Sequence, residues 1–263
     1  MIPELFKIGP LTINSFGVMA MLGFLIPTLL IRKEVERYGQ HPDFGNGIII
    51  AAMIGGFLGA RIYYIAERLD SFIANPGDYI FSGAGLVWYG GLIGGILAVF
   101  LYVRRKKFSF PLTFDILAPL LALGQTFGRM GCFLSGDGDY GPPADVPWAM
   151  SFPKGIIPTT DLVHPTPIYD MLWLLTTFLI LWNIRKKELP LGFKTSLYLI
   201  LLGVGRIFTE FFRTTPKIFL GLTAAQLISV AFITIGTIIM LNIHLKKNSK
   251  SQAGMRKPEK LKA

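Results

Sequence analysis

The chain has 263 residues, of which 52% are hydrophobic and 16% charged, with a mean hydropathy of +0.52 and a formal net charge of +10. Soluble domains carry about 25% charged residues and disordered chains need low hydrophobicity, so the composition argues against both. It also argues against a nucleic-acid partner, which would call for a basic patch between ordinary charged surfaces. What remains is a polytopic integral membrane protein of the all-α class.

No strand-like alternation runs long enough for a transmembrane barrel, and seven stretches approach the roughly 20 apolar residues that a spanning helix needs. The first is Leu11–Ile31, with Asn14 near its start. The residues before it lack a basic leader region and a cleavage site, so it is expected to stay as a helix. The second, Gly45–Ala66, carries Arg61, and the third, Gly83–Val103, carries Tyr89. The fourth, Leu112–Leu134, holds Asp115 and Arg129. The Gly/Asp/Pro-rich connection Ser135–Val163 turns tightly and is not helical; it lacks the acid spacing of a calcium loop. The fifth stretch, Pro167–Ile184, follows His164 and carries Tyr169 and Asp170; the sixth, Thr195–Phe212, carries Arg206 and Glu210; the seventh, Leu222–Leu245, carries Gln226. Residues 1–245 are thus expected to form one seven-helix membrane domain, and 246–263 a basic, disordered tail. Gly55–Gly59, Gly90–Gly94, Gly91–Gly95 and Gly124–Gly128 are small-xxx-small pairs, which let helix backbones approach in lipid.

Lys and Arg alternate between the connections. Eighteen fall on one side, five on the other, and Arg61, Arg129 and Arg206 fall within spans. The positive-inside rule then predicts the N-terminus outside and the C-terminus in the cytoplasm. At 1.5 Å per residue, Arg129 lies ~26 Å from the inner boundary, Arg206 ~16 Å, and Glu210 ~6 Å further out. Arg61, Tyr89, His164, Tyr169, Asp170, Asn14 and Gln226 also fall near outer ends, whereas Asp115 sits at an inner one. Polar groups confined to the outer half argue against a transport path and for a pocket open to the outer leaflet.

Arg206, Glu210 and Arg213 are spaced i, i+4, i+7 and share a helix face. One reading is an ion pair that lets Arg206 exist in lipid. The other is a guanidinium held by Glu210 to receive an anion, since an arginine fork suits phosphate oxygens and keeps its charge. With Arg129 on another helix, the second reading predicts a phosphate clamp. The single cysteine, Cys132, and the scattered histidines His41, His164 and His244 offer no metal-ligand spacing, so neither metal nor cofactor is expected. Cys132 reads as a packed small residue.

The segment Gly128-Arg129-Met130-Gly131-Cys132-Phe133-Leu134, followed by Gly136-Asp137 and Tyr140-Gly141, resembles the signature Gly-Arg-x-Gly-Asn-Phe-x-Asn-Gly-Glu of the bacterial prolipoprotein diacylglyceryl transferases. Gly59-Ala60-Arg61 with Tyr64, Gly90-Gly91-Leu92-Ile93-Gly94, His164-Pro165-Thr166-Pro167-Ile168-Tyr169-Asp170, Arg206-x-x-x-Glu210-Phe211-Phe212-Arg213 and Gln226 through Ser229 are similar to further family motifs, in the same order. The chain departs from the pattern where Tyr89 stands for a His, Cys132 and Ser135 for two Asn, Asp137 for a Glu, and Phe16 for a Tyr; one extra residue precedes Tyr140.

The resemblance implies an enzyme of lipoprotein biosynthesis in the bacterial cytoplasmic (inner) membrane, with its active site facing the extracytoplasmic side. Such enzymes transfer the diacylglyceryl group of phosphatidylglycerol to the lipobox cysteine of a preprolipoprotein. Arg129, Arg206, Glu210 and Tyr89 would be catalytic, and Arg129, Arg61, Asp137, His164, Arg213 and Gln226 would bind the phospholipid. Tyr89 is a poorer base than His near neutrality, and His164 could take that part or simply fix the loop before the fifth helix. The competing expectation is a membrane protein that binds or moves an anionic lipid without chemistry.

Overall fold

The computed structural model describes residues 1–9, 11–81 and 87–255. It divides into two compact units, one of residues 28–113 and one of residues 1–27 with everything from 114 onward.

The smaller unit holds the C-terminal part of α1 (Ser15–Glu36), then α2 (Pro42–Ala66), the short α3 (Leu69–Ala74) and α4 (Pro76–Phe81), and α5 (Trp88–Arg105). Pro42 opens α2, where a missing N–H costs nothing, and His41 Nδ1 accepts the Asp43 amide at 3.3 Å. The pairing of α2 with α5 rests on small residues. A Cβ on Gly59 would stand 2.8 Å from Gly94 Cα, and Gly55 and Gly90 are equally confined by the facing backbone. The same unit packs Gly45 on Ile31 and Val35, both fully buried, and stacks Phe44 on Tyr102.

The larger unit begins with a hairpin of β1 (Glu4–Ile8) and β2 (Leu11–Asn14) and the first half of α1. It continues with α6 (Phe110–Ser135) from residue 114, the hairpin β3 (Met150–Phe152) and β4 (Thr159–Val163), α7 (Thr166–Ile184), α8 (Phe193–Glu210), the hairpin β5 (Lys217–Phe219) and β6 (Leu222–Thr223), and α9 (Ala224–Met255). Gly23 of α1 meets the Gly124 carbonyl of α6, with 3.0 Å left for a Cβ, whereas a Cβ on Gly128 would meet nothing within 4 Å. The predicted Gly124–Gly128 pair therefore works through one member. Trp173 lies over Gly205 and donates its indole N–H to the Leu201 carbonyl at 2.8 Å, joining α7 to α8. Gly203 against Ser229 and Gly236 against Ser196 join α8 to α9. Asp115, 3% exposed, accepts the Gly192 and Thr195 amides at 2.8 Å and the Thr195 hydroxyl at 2.7 Å. It caps α8 from α6, which is why a carboxylate survives at that depth.

Helix dominates, and α1, α2, α6, α7 and α9 are each long and apolar enough to cross a membrane. The other two helices of that length class, α5 and α8, are 18 residues each; α5 ends in two arginines and α8 carries Lys194, Arg206 and Glu210. Large side chains such as Phe57, Ile62 and Ile93 are 60% exposed or more, which suits hydrocarbon and not water.

The structure refines the expected boundaries and the purely α reading. Leu11–Asn14 is a strand, not the start of the first helix, because Gly9 at φ +58° turns the chain back on Glu4–Ile8. Leu220 and Gly221, at φ +49° and +74°, make the corresponding turn before α9. These strands are too short to show alternation in sequence. The predicted start of the third stretch, Gly83, lies outside the described residues. The last helix runs to Met255, into the expected tail, and residues 256–263 lie outside the described part.

Candidate active site

Three arginines and three carboxylates meet at one end of the larger unit. Arg129 comes from the last turns of α6, Asp139 from the loop after it, Asp170 from the N-terminal part of α7, and Arg206 and Glu210 from the end of α8. Arg213 follows in the turn that leaves α8, its amide donating to the Glu210 carbonyl at 3.2 Å.

Asp170 is shared. Arg206 Nη1 donates to its Oδ2 at 3.1 Å, Arg129 Nε lies 3.6 Å from that oxygen, and Arg213 Nη2 lies 3.9 Å away. Asp139 bridges the other way, with Arg129 Nη1 on one carboxylate oxygen and Arg213 Nη2 on the other. Arg206 Nη2 is 3.1 Å from Glu210 Oε2, as the i, i+4 spacing predicts. That contact is not aligned as a hydrogen bond: both Glu210 oxygens and Arg213 Nε are buried with no hydrogen-bond partner among the described residues. Natural interiors leave few such groups, and each calls for an explanation such as strain, a catalytic role or a bound water. The Arg129 and Arg206 side chains keep 32% and 26% of their surface exposed, while Glu210 has none.

The loop that carries Asp139 is well tied. Gly136 and Gly138 take φ of +59° and +89°, and Asp137 Oδ1 accepts the Asp139 amide at 3.3 Å in an Asx turn. The buried Thr166 hydroxyl donates to the Asp139 carbonyl, and Arg213 Nη2 reaches the same oxygen at 3.2 Å. Gly141 has room for no side chain, since its α-carbon faces the Phe212 carbonyl and the His164 side chain. Farther along, Tyr140 stacks on the buried Phe152 and donates its hydroxyl to the Ile157 carbonyl at 3.1 Å. Residues 136–163 are non-helical, as expected, and fold into a lobe around Phe152 with the β3–β4 hairpin, an arrangement that was not legible in the sequence.

The remaining predicted site residues stand as follows. The His164 carbonyl accepts the Gly141 amide at 2.8 Å, its ring packs on Phe212 and its Nδ1 lies 3.0 Å from the Tyr169 hydroxyl. That hydroxyl accepts the Trp148 indole N–H at 2.7 Å; its own proton can then go to His164 Nδ1, which puts the ring proton on Nε2. Asp137 shapes the loop instead of touching an arginine. Gln226 closes a capping box with Thr223: its Oε1 accepts the Thr223 amide at 3.0 Å while Thr223 Oγ1 accepts the Gln226 amide at 3.2 Å. Arg61 and Tyr89 belong to the smaller unit, Arg61 with its guanidinium 5.8 Å from the Tyr64 ring centroid and Tyr89 43% exposed in the first turn of α5.

Asp139 and Asp170 were not among the predicted site residues. The signal that could have found them is a deficit: three arginines in the outer half need three countercharges, Glu210 supplies one, and Asp170 already stood among the outer-end polar residues. Chemically, guanidiniums on separate elements, each locked by a carboxylate, form a preorganised receptor for a phosphate or for negative charge developing on a leaving group.

Comparison with known proteins finds relatives along nearly the whole chain. The family described as prolipoprotein diacylglyceryl transferase matches residues 3–242. A phosphatidylglycerol–prolipoprotein diacylglyceryl transferase of Clostridium tetani is 37% identical over 92% of this chain and 97% of its own length. The protein of the same name from Pasteurella multocida is 34% identical over 95% of both chains, and that of Thermotoga maritima is 31% identical over 88% of this chain and 81% of its own. On this evidence of whole-length likeness, together with the arginines the motifs predicted, the chain belongs to the prolipoprotein diacylglyceryl transferase family.

Proposed function

We propose that the protein transfers the diacylglyceryl group of phosphatidylglycerol to the lipobox cysteine of a preprolipoprotein, the first step of lipoprotein maturation. The substrate thiol loses its proton to a base, and the thiolate attacks the diacylglyceryl carbon that bears the phosphate. A C–S bond forms, the C–O bond breaks, and the electron pair leaves with glycerol phosphate. The observation that carries this reading is the cluster of Arg129, Arg206 and Arg213 with their three carboxylates. Arg129 and Arg206, joined by Arg213, hold the phosphate and stabilise the charge that builds on it as the bond breaks, and Glu210 orients Arg206. Arg213, Arg61, Asp137, His164 and Gln226 are assigned to phospholipid binding and Tyr89 to catalysis, with Tyr89 or His164 taking the thiol proton.

In this reading all seven long helices span the bacterial inner membrane, with the N-terminus outside and the C-terminus in the cytoplasm. Residues 1–245 are the catalytic domain and 246–263 a basic cytoplasmic tail. The arginine cluster then lies in the outer half of the membrane, opening toward the headgroups on the side where a secreted precursor and its signal peptide arrive. Purified protein with phosphatidylglycerol and a lipobox peptide should give a peptide heavier by one diacylglyceryl group. Folded protein that gives no such product with any of several phospholipids would refute the transferase and leave a lipid-binding or transport protein.

A further inference from the structure

The ion-paired groups of the cluster, three guanidiniums and three carboxylates, balance one another in charge. A phosphodiester that entered it unchanged would set four negative charges against three positive ones in a half-buried place, where an uncompensated charge is costly. One carboxylate has to give way. Glu210 is fully buried and Asp170 is 7% exposed, and both are fixed on helices; Asp139 is 25% exposed and sits on a loop. Its two oxygens span Arg129 and Arg213, the two-oxygen pattern that a phosphate presents to paired arginines. Its backbone is held apart from the carboxylate by Asp137 and Thr166, so the carboxylate can turn away without unfolding the loop.

We propose that Asp139 is a resident counter-ion that the lipid phosphate displaces from Arg129 and Arg213, so that its side chain sets the affinity for the phospholipid. The proposal rests on the phosphate-binding reading of the arginines. Asp139 is then a specificity-determining residue whose removal strengthens binding, contrary to the usual effect of deleting an ion-pair partner.

The test measures the dissociation constant of phosphatidylglycerol for the full chain in uncharged detergent, for the unmodified protein, Asp139→Asn, Asp139→Ser and Arg129→Gln. The expected result is binding about tenfold tighter in both Asp139 variants and weaker in Arg129→Gln. Unchanged or weaker binding in folded Asp139 variants, with Arg129→Gln still weakened, overturns the counter-ion. Unchanged binding in Arg129→Gln overturns the phosphate reading beneath it. If the variants fail to fold, carboxyl labelling of the unmodified protein decides: Asp139 should react faster with phosphatidylglycerol present than with diacylglycerol, and equal rates overturn the proposal.

Discussion

Asp170→Asn is the sharpest test of how the site is held. Its carboxylate touches all three arginines, at 3.1, 3.6 and 3.9 Å, and its side chain is 7% exposed. At an effective dielectric of about 20, a pair of unit charges at these separations attracts by about 4–5 kcal/mol before desolvation. Removing one partner of a buried pair costs about 3–5 kcal/mol net. Asparagine keeps one oxygen for Arg206, so the lower end applies, about 3 kcal/mol, or a melting temperature lower by roughly 6–12 °C. The activity loss should exceed what instability explains. Arg206 and Arg129 lose their common anchor, and misplacing one such group lowers kcat by about 10²–10³. The assay is turnover of a lipobox peptide by mass shift, beside melting in detergent. Asp139→Asn removes the same single charge from the same cluster, yet should lower KM, because its carboxylate competes with lipid while that of Asp170 positions the arginines. Asp170→Asn that melts within about 2 °C of the unmodified protein and keeps kcat within about threefold would refute this division of roles.

Arg129→Lys should lower kcat/KM about 100-fold, since a point charge cannot hold Asp170 through Nε and a second oxygen through Nη1 at once; near-normal turnover would remove the clamp from the mechanism. Asp115→Ala should cost about 2–4 kcal/mol of stability, read by melting, because three donors at the start of α8 lose their acceptor; an unchanged melting temperature would show that water replaces the cap. Tyr89→Phe should lower kcat by about 100-fold or more if its oxygen takes the thiol proton, and full activity would leave Tyr89 as packing.

The helices and the arginines were legible because their signals are local. An apolar run of span length, or Arg206 and Glu210 four apart, contains its own partner within one or two turns. The glycines of α2 and α5 were legible for a related reason: each small-xxx-small stripe is complete within its own helix, although it packs on the other. What sequence did not reveal depends on contacts between distant positions. Asp115 reads as an isolated inner-end charge until Gly192 and Thr195 bring α8 to it across some eighty residues. The capping box that Gln226 closes with Thr223 was visible in the three-residue spacing but was not drawn from it. Asp139 and Asp170 lie 31 residues apart, one in a loop and one in a helix, and nothing in either neighbourhood shows that they share Arg129.

The net charge of +10 and the neutrality of the cluster bear on each other. Eighteen of the 26 basic residues fall in the connections that the positive-inside rule assigns to the cytoplasm, so the chain's surplus describes its topology. At the arginines there is no surplus. A site that attracted anions by net charge would take any phosphate, including soluble ones, and would weaken as salt screened it. A neutral cluster selects differently, because a ligand must replace a carboxylate already placed on two guanidiniums. A group held at headgroup height by its own acyl chains competes at high local concentration, whereas a free anion at millimolar level does not. On that argument phosphatidylglycerol should bind the unmodified protein with little loss between low and high salt, while Asp139→Asn, with its unpaired positive charge, should begin to bind inorganic phosphate and do so less as salt rises. Phosphate binding by the unmodified protein as strong as by the variant would contradict it.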